Sequence, residues 1–119
     1  MAPEVYRHEH YNETVDIYSY SMILYYLFTG RPPWPHLAGD VAVRLASDDG
    51  DRPTLPRDMD HRLQALIKDC WDDNASRRPN FHTILKILSD YSRNVLHQDT
   101  NNVVVTPQHK TIGCNCNIM

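Results

Sequence analysis

Residues 15–28 carry apolar or aromatic side chains around the whole circumference of a helix, and this feature limits the fold more than any other. A helix that is apolar on all sides is expected to be buried on all sides. Thr14 is the predicted N-cap, and the three prolines of residues 31–35 prevent the helix from continuing beyond Gly30. Because polar residues interrupt the run, it is too short and too polar to cross a bilayer. We therefore predict the central helix of a globular core.

Three shorter segments have the apolar spacing of helices that bury one face. The first covers residues 41–46, and the second and third follow Asp60 and Asn80. Asp40, Asp60 and Asn80 are plausible N-caps of the three helices. The apolar positions of the second helix are Leu63, Leu66, Ile67, Cys70 and Trp71. Those of the third helix are Phe81, Ile84, Leu85, Leu88 and Tyr91. No segment requires a strand, so the predicted fold class is all-α, with residues 1–12 predicted as a loop.

The composition fits one small globular unit with a disordered end. The chain has 119 residues, of which 41% are hydrophobic and 23% are charged, and this leaves no room for a second domain. Its formal net charge of −3 provides no basic field, which argues against nucleic acid as a partner. The N-terminus lacks the apolar core of a secretory signal. We therefore expect a cytoplasmic, reducing location, in which the three cysteines remain thiols.

Helical periodicity stops near residue 92, and residues 92–119 are predicted to form a disordered tail. The last four residues, beginning at Cys116, fit a C-a-a-X prenylation box whose terminal Met favours farnesyl. One farnesyl chain binds membranes weakly, so stable association needs a second lipid, for which Cys114 is the candidate. The alternative is an unmodified tail. A metal site formed by these cysteines and His109 is disfavoured, because C-x-C alone lacks the spacing of a zinc site.

Three motifs lie in order along the chain. Ala2-Pro3-Glu4 opens it, residues 16–24 read Asp-Ile-Tyr-Ser-Tyr-Ser-Met-Ile-Leu, and Cys70-Trp71 is followed by Arg78-Pro79-Asn80-Phe81. The first is similar to the A-P-E that ends the activation segment of protein kinases. The second resembles the buried central helix of their C-terminal lobe, and the third resembles the end of the domain in tyrosine kinases and tyrosine-kinase-like kinases. Residues 1–91 therefore resemble the helical C-lobe of the protein kinase fold from the A-P-E motif onward, an incomplete domain.

The resemblance implies roles for a few residues. Glu4 is expected to form a structural ion pair with Arg78, whose planar guanidinium matches a carboxylate; the alternative is a solvated arginine. Asp16 is expected to hold the catalytic loop of the complete enzyme, and the alternative is an ordinary acid in the first turn of a helix. Trp71 and Phe81 are expected in the core under either interpretation.

Phosphoryl transfer in this family needs ATP, Mg²⁺ and motifs that precede the A-P-E: a Gly-rich loop, a strand Lys, a catalytic-loop Asp and Asn, and the D-F-G Asp. These motifs do not occur in the 119 residues, so we expect no catalytic, cofactor-binding or metal-binding residue here. ATP and Mg²⁺ are expected only for the full-length parent. In the family, earlier elements also enclose the central helix, so one side of residues 15–28 is expected to lack its partner.

Two hypotheses follow from these observations. The first is a portion of a Ser/Thr-directed protein kinase, with Tyr specificity left open, that is inactive alone and meets substrates or protein partners through its C-lobe surface. The second is a non-catalytic, pseudokinase-like interaction module that associates with membranes through a farnesylated Cys116.

Overall fold

The computed structural model describes residues 1–102, with side chains described as far as residue 98. In chain order the α-helices are α1 Pro3–Tyr6, α2 Thr14–Thr29, α3 Gly39–Asp48, α4 His61–Cys70 and α5 Phe81–Asn102, and Ala75–Arg77 form a short 3₁₀ turn. No strand occurs within this range, and the all-α fold class is thereby confirmed. None of these helices is both long and apolar enough to cross a membrane.

The first residues form the single-turn helix α1 where the sequence predicted a loop. Pro3 occupies the start of this helix, where its fixed φ and missing N–H are tolerated. Ala2 is extended, with φ −72° and ψ 148°, as expected for a residue before proline. The loop prediction was therefore wrong for Pro3–Tyr6, because a proline that cannot lie inside a helix can still begin one.

The central helix α2 has Glu13 at its N-cap position, and the Asn12 side chain binds its first turn. The Asn12 Oδ1 accepts hydrogen bonds from the Thr14 backbone N–H at 3.0 Å and from the Thr14 hydroxyl at 2.6 Å. Thr14 is the first helical residue and not the N-cap, and Asn12 satisfies its free N–H while the Glu13 side chain makes no capping hydrogen bond. At the other end Gly30 has φ 68°, the left-handed conformation that glycine adopts without strain.

Helix α4 packs against α2 and supplies much of the core. Its predicted cap is confirmed, since the Asp60 carboxylate accepts a hydrogen bond from the Arg62 backbone N–H at 2.9 Å. Hydrogen bonds from the Arg62 side chain and backbone lower the pKa of Asp60 to about 2. The predicted apolar positions are all buried: Leu63, Leu66, Ile67, Cys70 and Trp71. The Trp71 ring meets that of Tyr25 in α2, with centroids 6.4 Å apart.

Helix α3 is longer than predicted and begins without a side-chain cap. It covers Gly39–Asp48 instead of residues 41–46, and Ala38, not Asp40, precedes it. Asp40 lies in the first turn, where a negative charge complements the helix dipole. The helix packs mainly against α1.

Helix α5 begins after its predicted cap and continues further than predicted. The Asn80 Oδ1 accepts a hydrogen bond from the Thr83 backbone N–H at 2.9 Å. The helix extends to Asn102, so the predicted loss of helix at residue 92 was wrong for residues 92–102. Arg93 and Asp90, one turn apart, form an exposed ion pair at 3.0 Å that suits a solvated helix. The disorder expected beyond Asn102 lies outside the described residues.

The predicted apolar face of α5 is only partly buried. Ile84 lies in the core, whereas Phe81 is 49% exposed and Leu85 is 65% exposed. The Phe81 ring meets the edge of the Tyr20 ring, with centroids 5.4 Å apart, at the border of the core. The prediction of Phe81 as a core residue was therefore wrong, because the described elements leave this side of α5 partly open to solvent.

One side of α2 carries large apolar side chains in contact with solvent. Ile23, Tyr26 and Leu27 are each more than half exposed. Leu24 and Tyr18, on the other side of the helix, belong to the core. Burial is thus achieved on one side only, in keeping with the expectation that a central helix lacks part of its enclosure here.

Candidate functional site

Glu4 and Arg78 form a buried ion pair with two parallel hydrogen bonds. The Arg78 Nη1 donates to the Glu4 Oε1 at 2.6 Å, and the Nη2 donates to the Oε2 at 2.9 Å. The Arg78 side chain has no exposed surface, and that of Glu4 is 7% exposed. Such bidentate, charge-assisted bonds are short and directional. The structure therefore brings together the two residues that were expected to pair, one from α1 and one from the segment before α5.

Arg78 also binds two further backbone segments. Its Nε donates to the Asp72 carbonyl at 2.9 Å, and its Nη1 donates to the Thr14 carbonyl at 3.0 Å. These bonds satisfy a cation that would otherwise be buried at a high cost in desolvation. Burial acts to raise the pKa of Glu4, but the hydrogen bonds and the charge of Arg78 outweigh it and hold that pKa below its ordinary value. Glu4 is therefore an ionised structural anchor.

Tyr18 of α2 lies in the core against two guanidinium groups. The guanidinium carbons of Arg78 and Arg52 are 5.2 Å and 5.3 Å from the centroid of its ring, within cation–π range. Its hydroxyl is buried without a hydrogen-bond partner among the described residues, and burial raises its pKa. Sequence reasoning assigned no role to Tyr18 or Arg52. The available signal was that Arg52-Pro53 repeats the dipeptide Arg78-Pro79.

Asp16 lies in the first turn of α2 and is exposed to solvent. Its carboxylate has no hydrogen bond or ion pair with any described residue, so it does not join the Glu4–Arg78 pair. The position suits an acid at a helix N-terminus, where a negative charge complements the helix dipole. Ser21 is fully buried and its hydroxyl donates to the Tyr18 carbonyl at 2.6 Å, so the hydroxyl is satisfied.

The described residues contain no cluster of His, Cys, Asp or Glu that could hold a metal ion. Cys70 is buried, and burial raises the pKa of its thiol to about 12, as expected for a core cysteine. Cys114 and Cys116, the candidate lipidation residues, lie outside the described part of the chain.

A cleft of about 690 Å³ opens between the end of α2 and the start of α4. Its lining combines aromatic, apolar and acidic side chains, among them Tyr25, Phe28, Leu55, Asp58, Leu63 and Tyr91. Its volume lies within the range of small-molecule pockets. Glu4, Asp16 and Arg78 do not line it, so the cleft is separate from the residues that the family resemblance singles out.

The region that holds the ion pair is also the region that matches a known family. The family model described as protein tyrosine and serine/threonine kinase matches residues 1–88. The chain belongs to this kinase family. The match includes both Glu4 and Arg78, and the all-helical fold is consistent with the C-terminal lobe of a kinase domain.

Curated kinases resemble this family member over a limited part of their own length. A probable serine/threonine-protein kinase of Dictyostelium discoideum is 40% identical over 75% of this chain and 10% of its own length. The serine/threonine-protein kinase STY17 of Arabidopsis thaliana is 35% identical over 80% of this chain and 17% of its own length. The serine/threonine/tyrosine-protein kinase HT1 of Arabidopsis thaliana is 35% identical over 76% of this chain and 23% of its own length. The chain therefore spans less than a quarter of each of these relatives.

Proposed function

We propose that residues 1–91 form the helical base of a tyrosine-kinase-like, Ser/Thr-directed protein kinase. The observation that carries the proposal is the buried Glu4–Arg78 pair, which links the A-P-E motif to the end of the matched region. A bidentate ion pair of this kind fixes the end of the activation segment on a rigid helical body. As part of this proposal, the C-lobe surface meets substrates and protein partners, and we place the complete enzyme in the cytoplasm.

Phosphoryl transfer itself belongs to elements that this chain does not contain. ATP and Mg²⁺ need a phosphate-binding loop and metal-binding carboxylates, and the motifs that supply them do not occur in the 119 residues. We expect the purified 119-residue chain to incorporate no phosphate from radiolabelled ATP and Mg²⁺ into casein or into itself. Incorporation above that of a heat-denatured sample would contradict this part of the proposal.

A chimeric kinase tests whether residues 1–91 can serve as a kinase base. In STY17, the segment from the A-P-E motif to the last helix of the domain is replaced by residues 1–91 of this chain. We expect the chimera to retain ATP-dependent phosphorylation of a protein substrate, and Arg78→Met to abolish it by releasing Glu4. The matched control is Arg62→Ala, which removes an arginine whose ion pair with Asp60 is partly exposed. A folded but inactive chimera, or full activity with Arg78→Met, would count against the proposal.

A lipid-anchored interaction module is the second candidate function. The C-a-a-X box at Cys116 favours it, and so does the exposed apolar side of α2, which offers a surface to a protein partner. Cells that express the chain are labelled with a clickable farnesyl analogue and separated into membrane and soluble fractions. We expect label and membrane recovery with the natural sequence and neither with Cys116→Ser. Equal recovery of both chains in the soluble fraction, without label, would exclude the anchor.

A further inference from the structure

The buried face of helix α3 consists of small side chains. Its buried residues are the small side chains of Ala42, Ala46 and Ser47, and these do not belong to the main core cluster of the described residues. The helix packs mainly against the single turn of α1. Val41, Val43 and Leu45 add apolar side chains that are only partly buried, so hydrophobic packing alone attaches α3 to a limited extent. Polar contacts at its C-terminal end strengthen the attachment.

Arg52 supplies such contacts at the C-terminal end of α3. Its Nη1 donates to the Ala46 carbonyl at 2.9 Å, and its Nε donates to the Trp71 carbonyl at 2.9 Å. Ala46 lies in the last turn of α3, and Trp71 is the C-cap of α4. Carbonyls at these positions have no partner within their helix, and a cation is favoured there. One guanidinium therefore joins the ends of two helices, with its side chain only 15% exposed.

The same guanidinium lies against the ring of Tyr18, which Arg78 also contacts. Tyr18 is fixed in the core as part of α2. A planar guanidinium can stack on a ring and donate from its edge at the same time, which an ammonium group cannot do. Tyr18 thus forms one platform for two arginines, of which Arg78 holds α1 through Glu4 and Arg52 holds α3 through Ala46.

We propose that Arg52 is a positioning residue that fixes α3 on the helical body through the ring of Tyr18. The α1–α3 pair is then presented as one rigid surface, with α1 held by Arg78 and α3 held by Arg52. Arg7 adds a second bond at the same helix end, donating to the Ser47 carbonyl at 2.8 Å. The role of Arg52 goes beyond the proposed kinase function, and the sequence alone assigned no role to this residue.

Hydrogen exchange of the full chain, followed by mass spectrometry, tests the role of Arg52. In Arg52→Ala we expect the protection factors of amides 42–48 to fall by about ten-fold or more, while those of residues 81–91 change little. Arg52→Lys keeps the charge but not the planar fork, so it should lose a large part of the protection at residues 42–48. Arg62→Ala, at another ring-stacked arginine, should leave these amides unchanged.

Substitutions of Tyr18 distinguish the support that its ring gives to Arg52 from a general loss of stability. Tyr18→Phe keeps the ring and should preserve the protection of residues 42–48, whereas Tyr18→Leu should lower it. Unchanged protection in Arg52→Ala, complete rescue by Arg52→Lys, or an equal loss across all helices would overturn the assignment. These results do not depend on phosphoryl transfer, so they are distinguishable from a failure of the proposed kinase function.

Discussion

Arg78 illustrates how much stability can depend on one buried charge. Arg78→Met leaves the Glu4 carboxylate buried without its partner, and such losses destabilise proteins by about 3 to 5 kcal/mol. We expect a decrease of this size in the free energy of unfolding, measured by urea denaturation followed by circular dichroism.

The double variant Glu4→Gln/Arg78→Met measures the interaction between the two side chains separately from the contribution of each side chain. With both charges removed, no isolated ion remains, so the loss in the double variant should be smaller than the sum of the two single losses. Strict additivity would show that the two side chains do not interact in solution.

The Glu4–Arg78 pair also makes stability depend on pH. The pKa of Glu4 in the folded protein lies below its ordinary value of 4.5. The contribution is therefore fully present above that ordinary value and is lost as pH falls through the lower, folded value. We expect the melting temperature of the natural chain to approach that of Glu4→Gln as pH falls below about 4.5. A constant difference between the two chains from neutral to acidic pH would contradict this expectation.

The hydroxyl of Tyr18 has the opposite effect on stability. It is buried without a hydrogen-bond partner among the described residues, and an unsatisfied group of this kind costs about 1 to 3 kcal/mol. Tyr18→Phe removes the hydroxyl and retains the ring against Arg52 and Arg78. We expect the free energy of unfolding to stay the same or to increase, as measured by thermal and urea unfolding. A clear decrease would reveal a partner for the hydroxyl.

Among the helices, the start of α5 depends on a single cap. Asn80 accepts a hydrogen bond from the Thr83 backbone N–H, and replacing an N-cap residue by Ala costs about 1 kcal/mol. We expect Asn80→Ala to lower the free energy of unfolding by this amount. Asn80→Asp, which can accept the same bond, serves as the control. An equal loss in both variants would mean that the amide contributes through another contact.

The two sides of α2 should respond differently to the same truncation. Leu24 is 2% exposed and Leu27 is 67% exposed. Leu24→Ala should cost about 2 to 5 kcal/mol, whereas Leu27→Ala should cost well under 1 kcal/mol and improve solubility. Urea unfolding and light scattering measure these effects. A large loss in Leu27→Ala would show that this side of α2 is covered in solution.

The helices were predictable where the local signal was strong. Asp60 and Asn80 were recognised as caps, and every apolar position predicted in α4 is buried. The errors arose where neighbouring residues compete for the same role, as with Asn12 and Thr14, or where burial depends on distant elements, as with Phe81. The polar residues after Tyr91 concealed a helix, because a solvated helix has no apolar stripe.

For the molecule as a whole, the predicted boundary of the kinase region at residue 91 is testable. The ring of Tyr91 still meets Phe28 of α2, with centroids 6.0 Å apart. A chain that ends at residue 91 should therefore retain the free energy of unfolding within about 1 kcal/mol, because positions 92–98, the last whose side chains are described, are mostly exposed. A chain that ends at residue 80 loses Ile84 and Tyr91 and should not fold cooperatively. Differential scanning calorimetry compares the stabilities of the two chains. A clear loss of stability in the chain that ends at residue 91 would place the boundary of the kinase region after that residue.

The candidate site was predictable from the sequence only through the family resemblance. Glu4 and Arg78 are 74 positions apart, and neither spacing nor composition indicates that they meet. The motifs around them resemble those of a known domain, and the structure brings the two side chains together. The contacts of Arg52 and Tyr18 escaped prediction because they involve backbone carbonyls and a ring face, which no spacing in the sequence indicates.

The long separation between Glu4 and Arg78 has a consequence for biosynthesis. A ribosome that adds roughly 5 to 20 residues per second needs roughly 4 to 15 s to reach Arg78 after making Glu4. During that interval the Glu4 carboxylate lacks the guanidinium that anchors α1 in the folded protein. We therefore expect α1 to reach its native position only after the residues around Arg78 have been made, and until then it is open to chaperones and proteases.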